Sequence, residues 1–153
     1  MTDLADKLLV GAPDPENPGW HEWVTCDATR FNGAVIGRTI VRQEGERSVR
    51  LRMVPRRIHT NISGKLHGGL IMAFIDVSLF ATIAVLGTGD PAASVTLEAT
   101  TQFIGAGAVD RPLDAVTEVM RETRRIVFLR GLVVQGDETV AAYSATLRKF
   151  GSA

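Results

Sequence analysis

Residues Gly68 to Leu86 are almost wholly apolar, with one charged residue, Asp76, near the middle. A run of this length is enough to cross a bilayer. A central Asp, however, costs roughly 2.5–3.5 kcal/mol in a spanning helix. Two glycines open the segment and half-apolar strand patterns follow it. We therefore read the run as a helix that is apolar on all sides because it is buried inside a soluble fold.

What surrounds that helix sets the fold class. Residues 35–42 are rich in β-formers, and Val49, Leu51 and Met53 alternate with Ser48, Arg50 and Arg52, the period of a half-buried strand. After the helix, Gly87 and Gly89 mark its end. In residues 92–103, Val95, Leu97, Ala99, Thr101 and Phe103 are expected on one face. Residues 113–121, 126–135 and 139–150 complete the strands, with Gly136-Asp137-Glu138 as a hairpin turn. Two strands, one long helix and four strands, without strand–helix alternation, predict an α+β fold with a mostly antiparallel sheet. The sheet is expected to curl around the helix. Pro13, Pro15 and Pro18, with Trp20 and Trp23 beyond, suggest that residues 1–30 are an irregular arm or short helix packed onto a domain of residues 31–153.

Composition narrows the function. The 153 residues suit one domain, and 17 basic against 17 acidic residues leave no net charge to attract nucleic acid or an anionic membrane. One cysteine, Cys26, excludes an internal disulfide and a multi-cysteine metal centre; it is read as structural. Residues 1–10 carry Asp3 and Asp6 and no basic stretch ahead of an apolar run, so the expected location is the cytoplasm.

Chemistry concentrates where the helix begins. His67-Gly68-Gly69 opens it, and the first N–H groups of a helix lack internal partners at the positive end of its dipole. Glycine lets a ligand come close to them, and a carbonyl turning into an oxyanion would be stabilised there. Asp76, with Met72, Ala73, Leu79 and Phe80 one turn away, is costly in such surroundings unless hydrogen-bonded, which makes it a functional candidate. Each feature also has a structural reading. Paired glycines serve close packing, and a lone Asp can cap a neighbouring element.

Taken together, Asn61, His67, Gly68, Asp76 and Ser94 resemble the PaaI-like branch of hotdog-fold thioesterases, named for phenylacetic acid degradation. In that family an Asn precedes a His-Gly-Gly, an Asp follows nine residues after the His, and a Ser or Thr lies eighteen residues beyond the Asp; the same spacings occur here. The resemblance runs from about residue 35 to 150. It implies a hotdog fold, an antiparallel sheet curled around one long buried helix, and hydrolysis of an acyl-coenzyme A. It implies that Asp76 acts as general base or nucleophile, that the Gly68 N–H polarises the thioester carbonyl and that Asn61 positions water or the carbonyl. Ser94 would orient the nucleophile or Asp76, and His67 the substrate or Asn61. Asn61 and Gly68 of one subunit would face Asp76 of its partner in a homodimer or a dimer of dimers. No cofactor is implied, coenzyme A being part of the substrate. A hotdog dehydratase or hydratase, and a non-catalytic acyl-coenzyme A-binding protein, are the alternatives.

The remaining candidates are weaker. His21, His59 and His67 lack metal-ligand spacing, so no metal is expected. Ser63 and Ser78 sit in no Gly-x-Ser-x-Gly elbow. Arginines cluster at Arg50, Arg52, Arg56 and Arg57 and again at Arg121, Arg124 and Arg125; Arg124 and Arg125 are the preferred contacts for coenzyme A phosphates. No aromatic residue interleaves with them, against an RNA-binding role. Met72, Phe74, Phe80 and Phe103 suggest a hydrophobic or aromatic acyl group.

Overall fold

The computed structural model describes residues 10–23 and 27–151. Cys26 and the first nine residues, and with them the readings made of them above, lie outside the described residues. The strands are β1 (Val10–Pro13), β2 (His21–Trp23), β3 (Thr39–Gln43), β4 (Ser48–Met53), β5 (Ser94–Phe103), β6 (Leu113–Glu122), β7 (Ile126–Gln135) and β8 (Glu138–Lys149). They form one eight-stranded sheet in the order β1-β2-β3-β4-β6-β7-β8-β5. Every pairing is antiparallel. The helix α1 (Gly68–Leu86) leaves the middle of this sheet after β4 and delivers the chain to its far edge at β5. On the way it packs against β3 to β8, so the sheet wraps it, as the sequence led us to expect.

Pleating explains the burial. Leu113, Ala115, Thr117 and Val119 of β6, and Ala141, Tyr143, Ala145 and Leu147 of β8, point at the helix and are buried. From α1 they meet Phe74, Ile75, Leu79 and Ile83. Phe74 is fully buried in this core, so it is not part of any acyl-binding surface, contrary to expectation. One polar cluster interrupts the apolar layer. The Thr117 hydroxyl lies 2.6 Å from the Tyr143 hydroxyl and donates to Ser78 Oγ, and Ser78 donates to the Ile75 carbonyl. Room for the Tyr143 ring exists because residue 131 is glycine: a Cβ there would lie 2.4 Å from the Tyr143 hydroxyl oxygen.

The N-terminal region differs from the irregular arm or short helix suggested by its prolines. Its described residues add β1 and β2 to the edge of the sheet. Asp14 turns the chain between them by accepting hydrogen bonds from the Glu16 and Asn17 N–H groups and the Asn17 amide, and it pairs with Arg38. The Asn17 amide, foremost, and the Arg38 guanidinium hold the Asp14 carboxyl at about 2. Trp20 is buried, with the guanidinium groups of Arg42 and Arg52 over its ring at 4.6 and 4.5 Å. An aromatic ring therefore does stack among the arginines, although nothing in their local sequence showed it. Arg50 and Arg52 in turn hold the buried Asp114 at 2.9 and 2.7 Å. These two arginines are occupied within the fold.

Residues Asn32–Ile36 form a turn of π-helix, so the strand expected from residue 35 begins only at Thr39. His59 anchors this turn. Its buried ring lies 2.6 Å from the Val35 carbonyl through Nε2 and accepts from the Arg56 N–H through Nδ1.

Candidate active site

α1 is buried on most of its surface, yet one stripe is open. Gly68, Met72 and Asp76 are spaced by four residues and so share a face of the helix. Gly68 is half-buried; Met72 and Asp76 are exposed. Strand β5 flanks this stripe. Phe103 stands beside Gly68, where a Cβ on the glycine would lie 3.3 Å from the ring tip. Thr96 stands beside Asp76 and donates its hydroxyl to Oδ1 at 2.7 Å.

The helix start is built by the residues ahead of it. His67 is the N-cap, and its Nδ1 accepts from the Gly69 N–H at 2.9 Å. In the neutral ring this leaves the proton on Nε2. The His67 N–H donates to the His59 carbonyl and the Leu66 N–H to that of Gly107, which pins the entry to the helix from two sides. Capping consumes the Gly69 donor, while the Gly68 N–H has no acceptor among the described residues. Asn61 lies in the exposed loop just before. Its Oδ1 accepts from the Ser63 and Lys65 N–H groups at 2.9 and 3.1 Å, and its amide NH2 has no acceptor among the described residues. Asn61 and His67 therefore each spend an acceptor on local structure and present a donor.

Ser94 does not occupy the expected place. It is buried at the start of β5 and donates to the Asp90 carbonyl at 2.7 Å. The hydroxyl on Asp76 is that of Thr96, two residues on. A β-bulge follows, between Thr96 and Glu98. It reverses the alternation, so Thr96 joins Ala99, Thr101 and Phe103 on the helix side, while Val95 pairs with Arg148 on the outer side. The single face expected for Val95, Leu97, Ala99, Thr101 and Phe103 is thereby broken.

Asp76 itself is exposed in the single chain rather than enclosed by its apolar neighbours. Arg124 and Arg125 lie in the exposed turn between β6 and β7. That turn sits at the far end of α1, where the Lys149 N–H donates to the Arg125 carbonyl and Lys149 Nζ to that of Thr88. They are not brought to Gly68 within one chain. Among the described residues no three His, Cys, Asp or Glu side chains converge as metal ligands would.

Residues 63–142 match the Thioesterase superfamily. No curated protein matches the sequence. The fold is shared with zebra fish thioesterase superfamily member 2, at a TM-score of 0.71 and 20% identity, covering 82% of this chain and 90% of that one. It is also shared with the E. coli PaaI protein from the phenylacetic acid degradation operon, at a TM-score of 0.68 and 17% identity over 78% of this chain and 84% of that one. A hypothetical thioesterase from Streptococcus pneumoniae TIGR4, solved with coenzyme A, gives a TM-score of 0.64 and 21% identity over 73% of this chain and 90% of that one. Structures of the latter also exist with alanine replacing an aspartate and, separately, a threonine. The architecture is the hotdog fold.

Proposed function

This chain belongs to the thioesterase superfamily, and we propose that the thioester it hydrolyses is an acyl-coenzyme A with a hydrophobic acyl group. The observation that carries this reading is the open stripe of α1, which presents at one end a Gly68 N–H with no acceptor among the described residues and at the other a Thr96-bonded Asp76. The Streptococcus pneumoniae relative solved with coenzyme A supports that leaving group.

The proposed chemistry is short. The Gly68 N–H and the Asn61 amide donate to the thioester carbonyl oxygen, which becomes an oxyanion when water adds to the carbon. Asp76 takes the proton of that water. The C–S bond then breaks, the thiolate leaves and takes a proton from solvent, and the free acid remains. A thiolate is a good leaving group, so no strong general acid is required.

Two chains are needed to assemble this centre. Gly68 and Asp76 are eight residues apart, about 12 Å along one helix, whereas attacker and carbonyl carbon must come within about 3–3.5 Å. A two-fold axis would bring Asp76 of one chain to the Gly68 end of the other and create two equal sites. In support, β5 is an uncovered edge strand of ten residues with Val95, Leu97 and Phe103 exposed, and such edges call for a cover. Cytoplasmic location and the pairing of two such dimers are part of the same proposal.

The test is release of free thiol from a panel of short, medium, long and aryl acyl-coenzyme A substrates, followed for the wild type and Asp76→Asn. The variant should lose at least about 100-fold in kcat while staying folded. Retention of more than about a tenth of wild-type turnover would remove Asp76 from the chemistry. Thiol release also separates hydrolysis from hydration, which leaves the thioester intact.

A further inference from the structure

We infer that Phe103 makes the site reject acyl groups branched at the carbon next to the thioester carbonyl. The inference rests on the reading of the Gly68 N–H as the carbonyl-binding donor, and it specifies the substrate class of that site. An oxygen held by this N–H lies about 2.7–3.1 Å from the nitrogen, with the carbonyl carbon and its neighbours just beyond. The Phe103 ring stands against the same residue: its tip would lie 3.3 Å, and two adjoining ring carbons 3.4 and 3.9 Å, from a Cβ on Gly68. The space on the Cβ side of the donor residue is therefore occupied by a hard, flat edge.

Two further observations define what meets that edge. Met72, one helical turn along the same stripe and 49% exposed, extends the apolar wall. The amides of a pantetheine arm need hydrogen-bond partners, and Phe103 and Met72 offer none, so the acyl side of the thioester is the side that lies against them. The wall is also fixed from behind. The Ile104 and Gly105 N–H groups both donate to the Val140 carbonyl, and a Cβ on Gly105 would lie 2.6 Å from the Thr139 carbonyl oxygen. The backbone carrying Phe103 thus cannot draw back towards β8 to admit a larger group. A straight acyl chain passes the ring edge with two hydrogens on its first carbon, whereas a methyl there collides with it.

The experiment compares kcat/KM for butyryl- and isobutyryl-coenzyme A, which have the same number of carbons, in the wild type, Phe103→Leu and Phe103→Ala. The wild type should prefer the straight isomer by at least about 10-fold, the low end of what one methyl group achieves. Phe103→Ala should cut that ratio by about 10-fold or more, through faster hydrolysis of the branched substrate, and Phe103→Leu should move it part of the way. Phe128→Ala, on the outer face, should leave it unchanged. A wild type that hydrolyses both isomers equally well would overturn the inference. So would a ratio within about twofold of wild type in both Phe103 variants while they still turn over. Absence of hydrolysis of every acyl-coenzyme A by the wild type would overturn the underlying reading and this inference with it, whereas an unchanged ratio leaves that reading standing.

Discussion

Thr96 donates its hydroxyl to Asp76 Oδ1 at 2.7 Å, tying the one charged residue of α1 to the edge strand of the sheet. The bond leaves Oδ2 without a partner among the described residues.

If this bond orients the carboxylate, Thr96→Ala should reduce kcat by about 2- to 15-fold, the value of one neutral hydrogen bond of roughly 0.5–1.5 kcal/mol. Thr96→Ser should restore most of the loss. Ser94→Ala removes a buried bond to the Asp90 carbonyl instead, and it should lower the melting temperature while leaving kcat of the folded protein close to wild type. Steady-state kinetics beside thermal melts distinguish the two. A larger kcat loss from Ser94→Ala than from Thr96→Ala would return the orienting role to Ser94.

The shared site can be tested by complementation. Asn61→Ala and Asp76→Ala proteins, each nearly inactive, are unfolded together and refolded. A mixed dimer holds one doubly damaged site and one intact site. Random pairing makes about half the dimers mixed, so about a quarter of wild-type activity should return. Mixed dimers confirmed by differently tagged chains, yet inactive, would place each site within one chain.

Arg124 and Arg125 lie at the end of α1 opposite Gly68, and the helix spans about 27 Å. If they hold coenzyme A phosphates, replacing both by alanine should raise KM several-fold with kcat within about twofold of wild type. A pantetheine thioester without those phosphates should show little of the effect. Equal losses with both substrates would assign the arginines to the fold.

Tyr143 is the one tyrosine of the chain, so its ionisation can be followed directly. Burial, outweighing the hydrogen bonds with Ser78 and Thr117, pushes its hydroxyl up to about 12. The folded value lies above the unfolded value of about 10. The neutral phenol therefore contributes stability that is fully present below about pH 10 and is lost as the pH rises through about 12. Wild-type protein should show little tyrosinate absorbance until it unfolds in that window. Tyr143→Phe should lack this alkaline fall in stability, and should cost about 1 kcal/mol at neutral pH through the lost bond to Thr117. Tyrosinate appearing near pH 10 in folded protein would contradict the buried cluster.

Much of this architecture could be read directly along the chain. A helix apolar on every side must be enclosed, and alternating strands before and after it leave few ways to do so, so the curled antiparallel sheet followed from local patterns. His67, Gly68 and Asp76 stood out as candidates for a similar reason: helix-start chemistry and a lone charge on an apolar run are features of consecutive residues, whereas Asn61 was singled out only by the family resemblance. What depended on three dimensions were the features set by distant partners. The prolines before Trp20 mark turns but not the pairing of β1 and β2 with the sheet, nor the contact of Trp20 with Arg42 and Arg52. The bulge at Thr96 is decided by the register of β5 on β8, and the choice of Thr96 over Ser94 by where that strand runs beside Asp76. Phe103 was recognisable as apolar, but its contact with Gly68 joins residues 35 apart in the chain. The exposure of Asp76 arises because α1 lacks a neighbour along one stripe, and no pattern within a single helix records which of its faces its own sheet leaves open.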